Sequence, residues 1–220
     1  MSIKKIFTAI GLVLALASSG QAVDLFDTVP AGNRGNLLSI DNATRRYAQS
    51  FSTTANDYIV DSVSLSLYLG LPNPLGTFGV EIYGFDTGNS IPTTLVPGGT
   101  VYSGDSLPLS TSATNVVFSG FNITLAPSTQ YYIVLSASLN TSLYWEYTNN
   151  ATGSGSTGYS SQFYTASLSS GSTWNLAAVT STDPMIMKVT AVPEPSTYAL
   201  AAIATGVMAT VASRCKARKA

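Results

Sequence analysis

The chain has 220 residues, which is enough for one domain of roughly 150 to 200 residues with short targeting segments. Only 10% of the residues are charged, 56 are Ser or Thr, there is no His, and the one Cys is Cys215. These absences exclude an internal disulfide, a Cys/His zinc site and any nucleophile that depends on His. Residues 23–192 contain four basic and ten acidic side chains, and the only basic pair, Arg45 and Arg46, is typical of a solvated turn. We therefore predict no nucleic-acid partner.

The first 22 residues have the three parts of a secretory signal peptide. A pair of lysines precedes an apolar run over residues 6–17, and small residues follow at Gly20 and Ala22. We predict cleavage between Ala22 and Val23, so that the exported domain covers residues 23–192, and a cut after Ala17 is the second candidate. An uncleaved anchor helix is the alternative, but the apolar run is short for a bilayer, which needs about 20 residues.

The domain shows the alternation of apolar and polar side chains that is typical of β-strands with one buried face. In the clearest case, Val63, Leu65 and Leu67 alternate with serines. Turn sequences separate such runs, and no amphipathic helix interrupts them. We predict an all-β fold, an antiparallel β-sandwich or jelly roll of about nine strands. The predicted strands cover residues 47–52, 63–69, 78–85, 101–103, 115–121, 130–138, 142–147, 159–166 and 185–191.

One turn, at residues 86–90, brings oxygen-bearing side chains close together. Asp86 and Asn89 lie there, and Ca²⁺ binds to carboxylate, amide and backbone oxygens of this kind. The sequence Asp-Thr-Gly-Asn is also an ordinary turn sequence. Asp86 and Asn89 are therefore the only calcium candidates, and we predict that the domain needs no metal or other cofactor.

Aromatic residues are dense between residues 144 and 174. Exposed aromatic rings have an apolar face that can stack on sugar rings, so Tyr144, Trp145 and Trp174 are the candidates for sugar stacking. Tyr144 and Tyr147 fall on opposite faces of one strand, so only part of this set can line one surface. Packing in the core is the alternative role, above all for Trp145, because aromatic side chains contribute strongly to protein cores.

The domain is followed by a stiff strip at residues 193–197. Two prolines bracket a glutamate there, which keeps the backbone extended and denies it helical hydrogen bonds. Such a strip is open to recognition by a processing enzyme. The residues concerned are Pro193, Glu194, Pro195 and Ser196.

An apolar segment and a basic tip complete the chain. Residues 198–213 carry no charge and reach about 24 Å as a helix, slightly less than the apolar thickness of a bilayer. We predict a short transmembrane helix there, with the tip at residues 214–220 on the cytoplasmic side and the domain outside. The basic residues that stop the helix are Arg214, Lys216, Arg218 and Lys219.

This order of Val-Pro-Glu-Pro-Ser, apolar helix and basic tip resembles the PEP-CTERM sorting signal of Gram-negative bacteria over residues 192–220. The resemblance implies processing by exosortase, a membrane cysteine peptidase of bacteria that make extracellular polysaccharide. It also implies that the tail is a transient membrane anchor, which is removed or exchanged near residues 193–196. Tails of this type are also described as ice-binding, so an ice-binding protein is a further alternative. That description concerns the tail and implies nothing about the domain.

Residues 48–145 resemble a second bacterial family, the choice-of-anchor R domain, which occurs ahead of PEP-CTERM and other anchors. This family is defined by its anchoring context, so the resemblance implies no activity. The sequence departs from the family at Tyr132, where Trp is frequent. The resemblance is carried by residues 49–53, 58–65, 80–83, 86–92, 123–135 and 144–145.

Together these features predict an exported, non-enzymatic protein that exosortase sorts to the cell surface or the extracellular matrix. A module that binds exopolysaccharide through exposed Trp and Tyr is the alternative. A glycosidase is a third alternative, because ten acidic residues could supply two carboxylates about 5 to 10 Å apart. The acidic residues form no recognisable catalytic motif.

Overall fold

Two antiparallel β-sheets pack face to face in the computed structural model of this protein, and no helix occurs in the residues it describes. Residues 22–192 form one compact unit. The all-β, antiparallel prediction is confirmed. The described residues are 21–29, 36–40, 45–70, 77–86, 91–98, 100–103, 112–137, 143–148, 163–166, 173–176 and 184–194.

The two sheets contain seven described strands each. In chain order the strands are β1 (Val23–Asp27), β2 (Asn36–Ile40), β3 (Arg46–Ser52), β4 (Tyr58–Leu69), β5 (Thr77–Phe85), β6 (Pro92–Leu95), β7 (Thr100–Ser103), β8 (Thr114–Ser119), β9 (Thr124–Leu125), β10 (Gln130–Ala137), β11 (Leu143–Tyr147), β12 (Phe163–Ala166), β13 (Trp174–Leu176) and β14 (Met187–Pro193). In sheet 1 the order is β1-β14-β4-β11-β2, with β8 and β9 also paired to β4; in sheet 2 it is β13-β12-β3-β10-β5-β6, with β7 paired to β5.

The strand count differs from the predicted nine. Each predicted run contains one observed strand, but five further strands occur in the described residues: β1, β2, β6, β9 and β13. These strands have two to five residues, and alternation over so few positions gives no clear signal. The jelly-roll topology stays a prediction.

The core lies between the sheets and takes apolar side chains from both. Leu65 and Leu67 of β4 meet Ile133 and Leu135 of β10 in one buried cluster. The rings of Phe78 in sheet 2 and Phe118 in sheet 1 meet edge to face, with centroids 6.1 Å apart. Burial contributes roughly 1.5–3 kcal/mol for each large apolar side chain, so this cluster is the main source of stability.

The segment that leads into β14 is inserted between β4 and β11. The Ser66 N–H donates to the carbonyl of Ile186 at 3.0 Å, and the Ile186 N–H donates to the carbonyl of Glu146 at 2.8 Å. On the outer side of this segment the Ser66 hydroxyl donates to Glu146 Oε2 at 2.5 Å, and both residues are buried. The start of the last strand is therefore fixed on both sides.

Among the described residues, no helix is long and apolar enough to cross a bilayer. The predicted transmembrane helix at residues 198–213, the basic residues of the tip and the signal sequence before residue 21 lie outside the described residues.

Candidate functional sites

The last strand leads directly into the predicted sorting motif, because Pro193 is the final residue of β14. β14 pairs with β1 in antiparallel register, and Val23 lies opposite Ala191. Ala22, on the other side of the predicted signal cleavage point, is exposed. Val23, the predicted first residue of the exported domain, thus pairs with Ala191, which lies two positions before the start of the sorting motif.

Polar side chains hold these two strands together. Lys188 Nζ lies 2.8 Å from Asp24 Oδ2 and 3.6 Å from Asp27 Oδ2. The Thr190 hydroxyl donates to Asp24 Oδ1 at 3.0 Å. The hydrogen bond with Asp24 raises the pKa of Lys188 above its ordinary value, with a further contribution from the charges of Asp24 and Asp27. Lys188 therefore has a structural role in the pairing of the first and last strands.

Within the sorting motif, the structure describes Pro193 and Glu194. Both are partly buried, and Glu194 also takes part in an interaction. Pro195 and Ser196 lie outside the described residues. The prediction that residues 193–196 are the processing site is therefore not tested by the geometry.

Trp145 is fully buried, so the sugar-stacking prediction is wrong for this residue. Its ring lies on the core face of β11, and its Nε1–H donates to the carbonyl of Ile186 at 3.1 Å. Tyr144, on the opposite face of the same strand, is partly exposed. It meets Tyr68 of β4 edge to face, with ring centroids 5.5 Å apart.

Trp174 lies in a second, smaller apolar cluster on the outer side of sheet 2. Ala48, Tyr132 and Val134 are buried at its centre. The Trp174 ring meets the Tyr83 ring at 70° with centroids 6.2 Å apart, and both residues are partly exposed. The cluster is completed by Phe85, which stacks on Tyr132 at 5.7 Å, and by Ile91. We call this surface the outer aromatic face.

A charged pair adjoins the outer aromatic face at Tyr83. Arg46 Nη1 donates to the Tyr83 hydroxyl at 3.1 Å and lies 3.8 Å from Glu81 Oε2. The Tyr83 hydroxyl donates in turn to Glu81 Oε2 at 3.5 Å. Burial, followed by the negative charge of Glu81, raises the pKa of Tyr83, and the positive charge of Arg46 opposes this shift. The Tyr83 hydroxyl is therefore a neutral hydrogen-bonding group at ordinary pH.

Sequence reasoning missed the residues that accompany Trp174. Arg46 begins β3 and does not lie in a solvated turn, and its side chain reaches Glu81 and Tyr83 of β5. The alternation of Val80 and Ile82 toward the core could have placed Glu81 and Tyr83 on the outer face. The pairing of β3 and β5 on either side of β10, which brings the groups together, has no local sequence signal.

The calcium candidates are only partly described. Asp86 follows β5, and its N–H donates to the carbonyl of Ile91 at 3.0 Å, as expected for a turn that joins two strands. Asn89 lies outside the described residues. Within the part of the chain that the structure describes, no group of three His, Cys, Asp or Glu side chains is placed to hold a metal ion. The calcium site stays a prediction.

Residues 191–219 match the family pattern of the PEP-CTERM protein-sorting motif. The match supports the predicted resemblance of the tail and the sorting of this protein by exosortase to the cell surface. It implies export and sorting at the membrane.

No curated protein matches this chain in sequence. Among solved structures, a clostridial cysteine protease after propeptide cleavage is similar to this chain with a TM-score of 0.47 and 12% identity. The matched region covers 75% of this chain and 41% of the protease chain. A structure of infectious bursal disease virus is similar with a TM-score of 0.25 and 9% identity. The matched region covers 81% of this chain and 34% of the viral chain. This chain thus spans less than half of either protein. Because both TM-scores are below 0.5, neither similarity bears on function.

Proposed function

We propose that this protein is an exported, non-catalytic surface protein whose β-sheet domain is delivered by exosortase and left at the cell surface or in the extracellular matrix. The observation that carries the proposal is the match of residues 191–219 to the PEP-CTERM motif, directly after the last strand of the domain. The resemblance of residues 48–145 to the choice-of-anchor R domain is in keeping with this placement, since that family occurs ahead of anchors.

The proposed route has three steps. Export removes residues 1–22 and leaves Val23 at the N-terminus, at the start of β1. Residues 198–213 then hold the protein in the membrane, and the basic tip stays on the cytoplasmic side. Exosortase finally cuts or exchanges the tail near residues 193–196.

The position of β14 limits the distance between domain and membrane during the second step. Four residues separate Pro193, the end of β14, from the start of the apolar segment at residue 198, so five Cα–Cα steps join the two positions. A fully extended chain of that length spans at most about 17 Å. The folded domain is therefore held close to the membrane until the tail is processed.

Mass spectrometry of the protein from its native cells tests the proposal. We expect a chain that begins at Val23 and ends within residues 193–196, and a chain that keeps residues 197–220 when the exosortase gene is deleted. Glu194→Ala is expected to slow processing, and Thr197→Ala, which lies beyond the predicted processing residues 193–196, is the matched control. Recovery of an intact tail from cells with active exosortase would contradict the proposal.

A carbohydrate-binding role is the second candidate function. It is favoured by the outer aromatic face, where partly exposed Trp174 and Tyr83 lie beside the pair of Arg46 and Glu81. A glycosidase is a further alternative. It predicts release of reducing sugar from host polysaccharide that is abolished by Glu81→Gln, whereas a binding role predicts no release.

A further inference from the structure

We propose that the outer aromatic face of sheet 2 binds a neutral polysaccharide chain, with Trp174 and Tyr83 stacking on sugar rings and Arg46 and Glu81 binding sugar hydroxyls. This inference rests on the second candidate function and assigns it a site and a ligand class. It does not depend on how the tail is processed.

The strand register explains why Glu81 and Tyr83 share a face with the buried centre of the cluster. Ala48 of β3 and Glu81 of β5 both lie opposite Val134 of β10, so the three residues form one row across the sheet. Tyr83 is in the next row, opposite Tyr132. Small and apolar side chains thus lie beneath the charged pair and the aromatic rings. An apolar floor with a few fixed polar groups at its margin is the usual composition of a ligand-binding surface.

The planar polar groups suit hydroxyl recognition. The side chains of Arg46 and Glu81 keep 22% and 21% of their accessible surface, so they are largely fixed but still reachable. A guanidinium group supplies several donors and a carboxylate several acceptors, which is the combination that adjacent sugar hydroxyls can satisfy. The two aromatic rings supply apolar faces for the C–H groups of the same sugar rings.

Two buried donors on this side of the sheet have no hydrogen-bond partner among the described residues. They are Arg46 Nε and Gln130 Nε2. Buried polar groups in folded proteins are nearly always satisfied, so each of these donors is placed to bind a water molecule that could bridge to a sugar hydroxyl. Because Arg46 lies opposite Ser136, which is six residues from Gln130 on β10, the backbone positions of the two residues are about 20 Å apart along the strand. That spacing suits a chain of several sugar units better than a single sugar.

Charge argues for a neutral ligand. The one positive group on the described part of this face, Arg46, is paired with Glu81, and residues 23–192 carry six more acidic than basic side chains. A polyanion such as alginate would be repelled by the net negative charge of the domain, and the guanidinium of Arg46 is already paired with the carboxylate of Glu81. A neutral polymer is not repelled by the charge of the domain.

The test measures binding of the full chain in mild detergent to hydroxyethylcellulose, galactomannan and alginate, by affinity gel electrophoresis. We expect retardation by at least one of the two neutral polymers and none by alginate. Trp174→Ala is expected to weaken the retardation about tenfold or more, because aromatic and Arg anchors dominate binding energies. Tyr68→Ala is the matched control, since Tyr68 meets Tyr144 in a similar edge-to-face pair on sheet 1. It is expected to change the affinity less than twofold.

A second measurement reports on the site without removing Trp174. In a Trp145→Phe variant, Trp174 is the only tryptophan, and we expect the neutral polymer to protect its fluorescence from acrylamide quenching. Absence of binding to both neutral polymers, or binding only to alginate, overturns the proposal. Binding that Trp174→Ala leaves unchanged, with no protection of Trp174, overturns the site while the carbohydrate-binding function stands. A Trp174→Ala effect on self-association alone would identify the face as an interface between two copies.

Discussion

Val23 lies directly opposite Ala191, so the start of the first strand and the end of the last strand pair with each other at one end of sheet 1. A cut after Ala22 leaves this pair complete, and so does a cut beyond Pro193. The two processing events that we propose therefore remove both ends of the chain without removing a strand that the domain needs.

We predict that Lys188→Met lowers the free energy of unfolding of the full chain by up to about 1 kcal/mol, because partly exposed ion pairs are screened by water. The pKa of Lys188 is raised in the folded state from 10.5, chiefly by the hydrogen bond with Asp24. A raised pKa means that the stabilisation is fully present below pH 10.5 and is lost as the pH rises through the folded-state value.

Urea denaturation of wild type and Lys188→Met between pH 7 and pH 11.5 checks this prediction. The difference between the two proteins should be constant at neutral pH and should shrink at the alkaline end. Lys188→Arg is the control, because a guanidinium stays charged over the whole range and its contribution should not shrink. A difference that grows with pH would contradict the assignment.

We predict that Thr28→Val costs about 2–3 kcal/mol of stability. The buried Thr28 hydroxyl donates to the carbonyl of Met185 at 2.8 Å and accepts from the Met187 N–H at 2.9 Å. Valine has the same shape but leaves both backbone groups unpaired, and each such loss costs about 1–3 kcal/mol. Urea denaturation measures the effect. Thr28→Ser should recover most of the loss, and Thr94→Val, at an exposed position, should change stability by less than about 0.5 kcal/mol.

The long strands were predictable from the sequence because each has enough alternating positions to establish its buried face. β4 shows both the strength and the limit of this signal. Val63, Leu65 and Leu67 are buried as predicted, but Tyr58 and Val60 are buried as well, one position out of phase. An extra residue between Val60 and Val63 shifts the phase, as in a β-bulge, and the alternation that identifies the strand therefore fails at its start.

How well each candidate site could be predicted depends on how far apart in the chain its residues lie. The sorting motif is local in sequence, so its residues identify it directly. The outer aromatic face is assembled by pairing between strands that are distant in the chain, with Arg46 and Glu81 35 residues apart. Trp145 and Trp174 both lie in short strands, and the phase of β11 decides that Trp145 enters the core.

We predict that Ser66 and Glu146 are energetically coupled by about 1–3 kcal/mol. Both are buried, and the Ser66 hydroxyl donates to Glu146 Oε2. Removal of one partner of a buried hydrogen bond leaves the other partner unsatisfied, which costs about 1–3 kcal/mol. A double-mutant cycle with Ser66→Ala and Glu146→Ala, followed by urea denaturation, gives the coupling energy. Additive effects of the two substitutions would show that the pair contributes nothing beyond its separate members.

Our last prediction compares two glycines with positive φ. Gly98 has φ 113° and Gly120 has φ 86°, so alanine is strained at both positions. A Cβ atom at Gly98 would also come within 2.8 Å of Ile123 Cγ1, whereas nothing lies within 4 Å of a Cβ at Gly120. We expect Gly120→Ala to cost about 1–2 kcal/mol from backbone strain alone, and Gly98→Ala to cost about 2–4 kcal/mol.

Urea denaturation of the two variants checks the order, and an Ile123→Ala background separates the two causes. Because Ile123→Ala removes the atom that the new Cβ would meet, the additional cost of Gly98→Ala should fall toward that of Gly120→Ala. The cost of Gly120→Ala should not change in the same background. Equal costs for the two glycines in the wild-type chain would mean that the turn at Gly98 moves away from Ile123 without loss of stability.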